Sequence, residues 1–308
     1  RFFTLYPTER WDSSYYSPVG MTNSTLIDPD TVPNSGDEYY DDPVHVWLYN
    51  PNASAITVNY QTQTSSGTIP VPVGSTVFYE MPLNQGAQFF TTDNSIFNAI
   101  STIDSNQTVG ASNSAHDWGF TLVPESSLAT AVVVGWGPGR DPTSGTNPTE
   151  NGNPVWLTAN GSTTLYVDYN GDGGPLTAPD GRTYDVARSV SALQSIAEYD
   201  PDGDQTGMTV FTTDGTLIAA AWGQDPVTAS PGAPGLDLGT TVLPLGSFIG
   251  DTVWYDLDGD GVQDAGEVGI PNVTIELRDS GGALVAITTP DETENFACII
   301  SNETGCKS

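Results

Sequence analysis

The chain is poor in basic residues, in cysteine and in long apolar stretches. Its 308 residues include seven Lys and Arg, with Lys307 as the only lysine. Binding to nucleic acid or to an anionic membrane surface requires clustered Lys and Arg, so we expect neither partner. No apolar run is long enough to cross a membrane, and we expect no membrane insertion. The two cysteines, Cys298 and Cys306, are a candidate disulfide in an oxidising compartment.

Catalytic signatures are missing as well. The two histidines, His45 and His116, do not lie in a nucleophile or metallohydrolase motif. No glycine-rich phosphate loop is present. We therefore predict that the protein is not an enzyme. Pairs of carboxylates near aromatic residues leave a glycoside hydrolase as a distant alternative.

Glycine, proline and small polar residues are what the chain has in abundance. Asp and Glu number 38, about the usual level for proteins, so the shortage of Lys and Arg gives the net charge of -31 at pH 7. Such a charge favours cations as partners and opposes nonspecific aggregation. Alternating strand patterns separated by Gly, Pro and Asn outnumber helical patterns, which predicts an all-β protein. The composition is typical of an extracellular, cell-surface location.

Residues 256–267 have the spacing of a calcium loop. They fit the pattern D-x-[DN]-x-[DN]-G-x5-E at every constrained position, with Gly261 at the sharp turn. The ligands of such a loop are carboxylates and one backbone carbonyl. In this chain they are Asp256, Asp258, Asp260, Val262, Asp264 and Glu267. Strand-like segments at 249–255 and 273–277 flank the loop, and Pro271 opposes a helix. We therefore predict Ca²⁺ as the cofactor of an extracellular β-module.

Residues 250–256, the acidic loop and residues 266–274 together resemble the start of an SdrD B-like repeat. This family occurs in bacterial surface adhesins and is related to the Cna B-type fold. The resemblance covers about residues 246–290. It implies an Ig-like β-sandwich that is stiffened by calcium and serves as a stalk segment. After Thr289 the pattern changes to a polar tail at 291–308, so we predict an incomplete module.

An internal repeat organises residues 40–245. Three anchors correspond between its copies: 46–48 with 155–157, 90–96 with 211–217, and 122–124 with 242–244. The offset is 109 at the first anchor and about 120 at the others, so the second copy has an insertion of about twelve residues. Each copy is predicted to be a β-sandwich. Because Trp47 and Trp156 recur at equivalent positions, we expect both in the core.

The predicted organisation is three domains. They are a β-sandwich at 1–130 with an aromatic N-terminal segment, a second β-sandwich at 131–245, and the SdrD B-like calcium module at 246–308. Residues 138–154 are predicted to be an interdomain linker or a long exposed loop. The N-terminal segment is either the first strand of the chain's own sandwich or a strand that inserts into a neighbouring subunit. Residues 184–199 have helical spacing, but we favour a strand from Leu193 onward.

Two acidic turns in the second copy are further metal-site candidates. Their possible ligands are Asp168, Asn170 and Asp172 in one turn, and Asp200, Asp202 and Asp204 in the other. Asp, Asn and Gly are also the ordinary residues of turns between strands, so a structural role is the alternative. Residues 193–195, 204–207 and 214–221 give the region 150–245 a distant resemblance to the N-terminal β-repeats of IgG-Fc-binding proteins. That resemblance implies an extracellular adhesive or matrix module.

Six N-x-[ST] sequons are candidate glycosylation sites if a host with the machinery secretes the protein. They begin at Asn23, Asn52, Asn106, Asn160, Asn272 and Asn302. Asn and Thr are so abundant that chance occurrence is the alternative.

The predicted function is that of a secreted, calcium-binding structural protein of a prokaryotic cell surface. The chain would be a stalk segment continuing into a longer adhesin, or a fibre subunit that self-associates, with strand exchange as one route. The alternative is an adhesin head that binds a glycan, or a protein ligand on a host or neighbouring cell, through exposed Tyr or Trp residues.

Overall fold

The computed structural model describes residues 7–21, 44–103, 118–139, 153–225, 238–245, 247–252, 270, 273–278, 284–288 and 295–300. The chain divides into two compact units, Arg1–Leu245 and Gly246–Ser308. Apart from two 3-10 turns at Thr8–Arg10 and Glu125–Ser127, the regular structure of these residues is all strand. The predicted all-β class is therefore confirmed.

Nine strands form a first sandwich in the larger unit. They are β1 (Ser14–Ser17), β2 (Val44–Tyr49), β3 (Ile56–Gln61), β4 (Ser66–Val71), β5 (Thr76–Glu80), β6 (Ala87–Phe90), β7 (Asn98–Ile103), β8 (Trp118–Thr121) and β9 (Val123–Pro124). The strand orders are β4-β3-β6-β1-β9 in one sheet and β5-β2-β7-β8 in the other, and neighbouring strands are antiparallel. Alternate residues of each strand face the core, as in β2, where Val44, Val46 and Leu48 are buried.

A second sandwich follows along the chain. Its strands are β10 (Ala131–Val133), β11 (Val155–Ala159), β12 (Thr163–Asp168), β13 (Leu176–Thr177), β14 (Thr183–Tyr184), β15 (Val186–Val190), β16 (Ile196–Glu198), β17 (Thr209–Phe211), β18 (Ile218–Gly223), β19 (Gly239–Thr241) and β20 (Leu243–Pro244). The strand orders are β15-β12-β17-β10-β20 and β16-β11-β18-β19, with β13-β14 as a separate hairpin.

The two sandwiches have the same topology. When the β13-β14 hairpin is omitted, the strand orders correspond one for one in both sheets. Side-chain details recur as well. The Thr91 hydroxyl donates to the Ser95 carbonyl at 2.8 Å, and the Thr212 hydroxyl donates to the Thr216 carbonyl at 2.7 Å. The sequence repeat is thus a duplicated β-sandwich, as predicted.

The predicted insertion lies between β12 and β15. Seventeen residues, 169–185, join these strands, whereas four residues, 62–65, join β3 and β4. The β13-β14 hairpin occupies this insertion, with Leu176 opposite Tyr184. The insertion therefore adds a hairpin and its acidic turns beside one edge of the second sandwich.

Two local predictions are wrong in part. Residues 138–154 join β10 to β11, and both strands belong to the second sandwich, so of the two alternatives given for this segment the interdomain linker is wrong. Each repeat begins one strand before the first sequence anchor, with β1 before 46–48 and β10 before 155–157. For this reason β10 was not recognised as part of the second repeat. The strand favoured from Leu193 onward is present as β16, but Leu193 itself lies in a turn with a φ of 58°. Val186–Val190, before the expected position, is also a strand. Sheet pairing with β12 overrides the helical spacing there.

The N-terminal strand belongs to the chain's own sandwich. β1 lies between β6 and β9, and the buried Tyr15 donates its hydroxyl to the Phe97 carbonyl at 2.8 Å. Residues 14–17 thus complete their own sheet, which is the first of the two interpretations of this segment.

In the smaller unit, four strands are described. They are β21 (Ser247–Thr252), β22 (Ile275–Arg278), β23 (Leu284–Thr288) and β24 (Asn295–Ile300). β21 pairs with β24 and β22 with β23, both antiparallel. The strands predicted on both sides of the acidic loop are therefore present. The polar tail predicted after residue 291 is wrong for residues 295–300, because the apolar run from Phe296 to Ile300 forms β24.

Candidate functional site

The predicted calcium loop lies between two strands. Its residues, Asp256–Glu267 in the chain, fall outside the described residues, so the Ca²⁺ site stays a prediction. The described chain reaches Thr252 at the end of β21, includes Ile270, and continues with Val273 and Thr274 before β22. In sequence, the loop pattern therefore lies between the end of one strand and the start of the next.

The first acidic turn of the second sandwich begins at the end of β12. Asp168 is buried there, and its two carboxylate oxygens accept the N–H of Gly173 at 3.3 and 3.1 Å. Burial raises the pKa of Asp168, and the charges of Asp185 and Asp172 raise it further, while the N–H groups of Gly173 and Gly171 lower it. Asp168 therefore closes a turn and is also crowded by other carboxylates.

The second acidic turn follows β16. Asp200 is 4% exposed; its Oδ1 accepts the N–H of Asp202 at 3.0 Å, whereas its Oδ2 is buried with no hydrogen-bond partner. Burial, aided by the charges of Asp202 and Asp185, raises the pKa of Asp200 to about 6. Asp202 and Asp204 in turn accept the N–H groups of Asp204 and Thr206. Each of these carboxylates thus caps a local turn.

These carboxylates do not form a closed metal site. Among the described residues, no group of three or more His, Cys, Asp or Glu side chains is arranged to hold a metal ion. The ligand sets Asp168, Asn170, Asp172 and Asp200, Asp202, Asp204 therefore stay predictions. The structure adds Asp185, whose charge acts on both Asp168 and Asp200 and which the sequence motifs had missed.

An ion pair beside these turns, between the buried Glu198 and the partly exposed Arg188, had no sequence signal. Arg188 contacts Glu198 through two hydrogen bonds of 2.7 Å, and the Tyr169 hydroxyl donates to the same carboxylate at 2.8 Å. Burial and the negative charge of Glu198 raise the pKa of Tyr169 well above its usual range. β15 and β16 are edge strands of different sheets, so this pair joins the two layers.

The outer face of the β5-β2-β7-β8 sheet carries exposed aromatic residues. Trp47 and Phe78 are 37% and 54% exposed, and their ring centroids lie 5.2 Å apart. The ring of His45 packs on both, 5.9 Å from Trp47 and 4.8 Å from Phe78. We call these three residues the aromatic cluster. The expectation that Trp47 is a core residue is wrong, whereas Trp156, at 3% exposure, is buried.

Two of the sequons lie among the described residues. Asn52 is half-buried, and its amide nitrogen donates to Asn50 and to the Ile96 carbonyl. That amide already has a structural role, which disfavours modification. Asn160 is exposed, and it uses its oxygen to accept the N–H of Leu217 at 2.9 Å. Glycosylation stays a prediction at all six positions, of which Asn23, Asn106, Asn272 and Asn302 lie outside the described residues.

The candidate disulfide is untested. Cys298 is on β24, opposite Ile249 of β21, and Cys306 lies outside the described residues. His116 also lies outside them. In the described part of the chain, no helix has the length and hydrophobicity needed to cross a membrane.

The fold defines a tandem, duplicated β-sandwich followed by a smaller β-unit, and comparisons with known proteins identify the latter. Residues 247–298 match the SdrD B-like domain family. Serine-aspartate repeat-containing protein I of Staphylococcus saprophyticus is 46% identical over 48 residues, or 16% of this chain and 2% of that protein. Bone sialoprotein-binding protein of Staphylococcus aureus is 44% identical over 48 residues, or 16% of this chain and 4% of its own length. No solved structure matches the chain.

These matches confirm the predicted SdrD B-like resemblance and its position. They also confirm the extracellular, cell-surface location expected from the composition. The chain spans only a few per cent of the length of these relatives, and the match leaves the duplicated sandwich uncovered. The resemblance of 150–245 to IgG-Fc-binding repeats stays a prediction.

Proposed function

We propose that this chain is a non-enzymatic structural segment of a bacterial cell-surface protein, in which Ca²⁺ bound by residues 256–267 stiffens the C-terminal unit. One observation supports this proposal above all. The SdrD B-like match at 247–298 encloses the whole calcium-loop pattern, and strands β21 and β22 flank it. A stalk segment of a surface adhesin is the role that this combination favours.

The charge of the loop favours a bound cation. Five carboxylates within twelve residues repel one another, in a chain whose net charge is already -31. A bound Ca²⁺ ion neutralises part of this repulsion and draws ligands from both ends of the loop to one point. Because only the folded unit presents these ligands together, calcium also stabilises the folded state.

Thermal unfolding of the full chain with Ca²⁺ and with a chelator tests the proposal. We expect Ca²⁺ at about a hundred times its Kd to stabilise the C-terminal unit by about 2.7 kcal/mol. The double variant Asp256→Asn with Glu267→Gln should lose this response. The charge-matched control Glu80→Gln with Asp93→Asn changes two exposed carboxylates of the first sandwich and should keep it.

Wild-type melting that is the same with Ca²⁺ and with chelator would refute the mechanical role. A response that persists in the Asp256 and Glu267 variant would move the site elsewhere in the chain. Calorimetric titration then separates the candidates, because the loop alone binds one ion. A second bound ion that disappears with Asp200→Asn would locate a site at the acidic turns of the second sandwich.

A further inference from the structure

The two sandwiches are joined by hydrogen bonds between residues 84–86 and 193–195, and the first sandwich also covers one outer sheet face of the second. In the second sandwich, Trp156 of β11 and Ala221 of β18 point away from their own core, yet both are buried in one cluster with Trp118 of the first sandwich. The Trp118 indole donates to the Gln224 carbonyl at 2.9 Å. A Cβ at Gly223 would lie 2.5 Å from the Trp118 ring. The first sandwich therefore covers this face closely.

The first sandwich has the equivalent face, built in the same register. Trp47 lies opposite Ile100 on β7, as Trp156 lies opposite Ala221 on β18. The indole N–H of Trp47 donates to Thr102 at 2.8 Å, and that of Trp156 donates to Gly223 at 3.0 Å. In both cases the acceptor residue is two positions beyond the residue opposite the tryptophan. The two indoles thus have the same position in their sheets, although Trp47 donates to a side-chain hydroxyl and Trp156 to a backbone carbonyl, and only Trp156 is covered.

The covering surface is duplicated too. Val123 of β9 is 3% exposed and clusters with Leu193 and Ala219 of the second sandwich. Its counterpart is Leu243 of β20, because each residue precedes a proline and pairs with the first strand of its own repeat. Leu243 is 60% exposed. The Trp156 face and the Val123 edge of the internal interface therefore each have an exposed counterpart on the other sandwich. The counterpart of Trp118 is Leu238, which packs against the core of the second sandwich.

We propose that a second copy of this chain docks its β20 surface, centred on Leu243, onto the Trp47 face of the first sandwich. This contact repeats, between molecules, the part of the internal interface that Val123 forms. It joins two different surfaces, so it leaves one unused surface at each end and generates an open chain of copies. The proposal does not depend on calcium at residues 256–267.

Two features set the strength of this contact. Ile100 and Thr102 stand where the internal interface has Ala221 and Gly223, so the second copy cannot approach as closely as the first sandwich approaches the second. The aromatic cluster compensates with apolar area, since Phe78 is exposed beside Trp47. The net charge of -31 also opposes association at low ionic strength. We therefore expect association to strengthen as salt is raised.

Analytical ultracentrifugation of the full chain at low and high salt tests the proposal. The wild type should form a concentration-dependent series beyond the dimer at high salt. Trp47→Ser with Phe78→Ser should abolish it, and so should Leu243→Ser. An equimolar mixture of these two variants should form dimers and nothing longer, because each retains one complementary surface. Leu176→Ser, an exposed apolar residue on the inserted hairpin, is the matched control and should associate normally.

Several outcomes would overturn the proposal. They are a wild type that stays monomeric at high salt, a Trp47 and Phe78 variant that associates normally, and a variant mixture that gives no dimer. A glycan that quenches Trp47 fluorescence in a monomeric wild type would assign the face to sugar binding instead. Circular dichroism melting checks that each variant folds. If the double variant melts early, Phe78→Ser alone replaces it, because that ring is the more exposed of the two.

Discussion

The two sandwiches share a topology but stabilise the contact between their layers differently. When the strand registers of the two sandwiches are aligned, Ile69 of the first corresponds to Arg188 of the second, and Tyr79 corresponds to Glu198. Ile69 and Tyr79 pack against an apolar core, whereas Arg188 and Glu198 form a two-pronged ion pair. Strand topology is therefore maintained while the chemistry of the layer contact changes completely.

The same contrast continues beyond these strands. Two residues after Tyr79 comes Met81, which is fully buried in the first core. The second sandwich has Asp200 at that position, also buried, with one carboxylate oxygen unpaired. Burying an unpaired carboxylate is unfavourable, and methionine fills the same space without that penalty. The differences cluster near the insertion at 169–185, which brings its own acidic residues.

The largest expected effect separates the two equivalent tryptophans. Trp156→Ala should destabilise the larger unit by about 3–5 kcal/mol, because it leaves a cavity between the sandwiches. Trp47→Ala removes a partly exposed ring and should cost about 1 kcal/mol or less. Urea unfolding of both variants measures the difference. Equal costs would contradict the assignment of one covered and one open face.

The amino-acid sequence was sufficient to predict the duplication and its strands. The recurrence of 46–48 at 155–157 and the alternation in Val44, Val46 and Leu48 locate β2 and β11 and orient their core faces. It was not sufficient to distinguish Trp47 from Trp156. Both point outward from their own sandwich, and only the packing of one sandwich on the other buries the second.

The residues that join the two sheets of the second sandwich could not be predicted from the sequence for a related reason. Arg188 and Glu198 are ten residues apart on different strands, and no local periodicity links them. Their proximity depends on how two sheets stack. The same holds for Asp200. From the sequence, an Asp in a turn is expected to be exposed, but its tertiary surroundings bury it here. The calcium loop, by contrast, is a local pattern and could be proposed from spacing alone.

A second prediction tests the ionic layer contact against its apolar counterpart. Arg188→Met leaves the buried Glu198 carboxylate with the Tyr169 hydroxyl but without a positive charge. It should cost about 2 kcal/mol, less than for a fully buried pair because Arg188 is partly exposed. Arg188→Ile with Glu198→Tyr transfers the first sandwich's pair to the second and should recover most of that loss. Urea unfolding compares them. If the double variant is less stable than Arg188→Met, the two layer contacts are not interchangeable.

A third prediction concerns pH. The pKa of Asp200 is raised from 3.8 to about 6, so the folded state holds this proton more tightly than the unfolded state does. The resulting stabilisation is complete below about pH 3.8 and disappears as the pH rises through 6. Asp200→Asn does not titrate and should be more stable than the wild type by about 1–2 kcal/mol at pH 8. The two proteins should converge below about pH 3.8.

Melting temperatures across this range measure the effect, and the difference between variant and wild type cancels the other carboxylates. The exposed Asp93→Asn is the control; its pKa is lowered by the Ser95 N–H, so its effect has the opposite sign. An Asp200→Asn variant that is destabilised at pH 8 would show that the carboxylate has a partner, such as a bound cation.

The smallest expected effect tests what the repeats have in common. Thr91→Val and Thr212→Val each remove a hydroxyl that donates to a carbonyl four residues later, at 2.8 and 2.7 Å. Each substitution keeps the shape of a buried side chain and should cost about 1 kcal/mol. The two costs should agree within about 0.5 kcal/mol, and because the sites are far apart the double variant should show their sum. Unequal losses of stability would mean that the turn after β6 and the turn after β17 differ in energy despite their equal geometry. The difference between the two sandwiches would then include these turns as well as their outer faces and the contacts between their sheets.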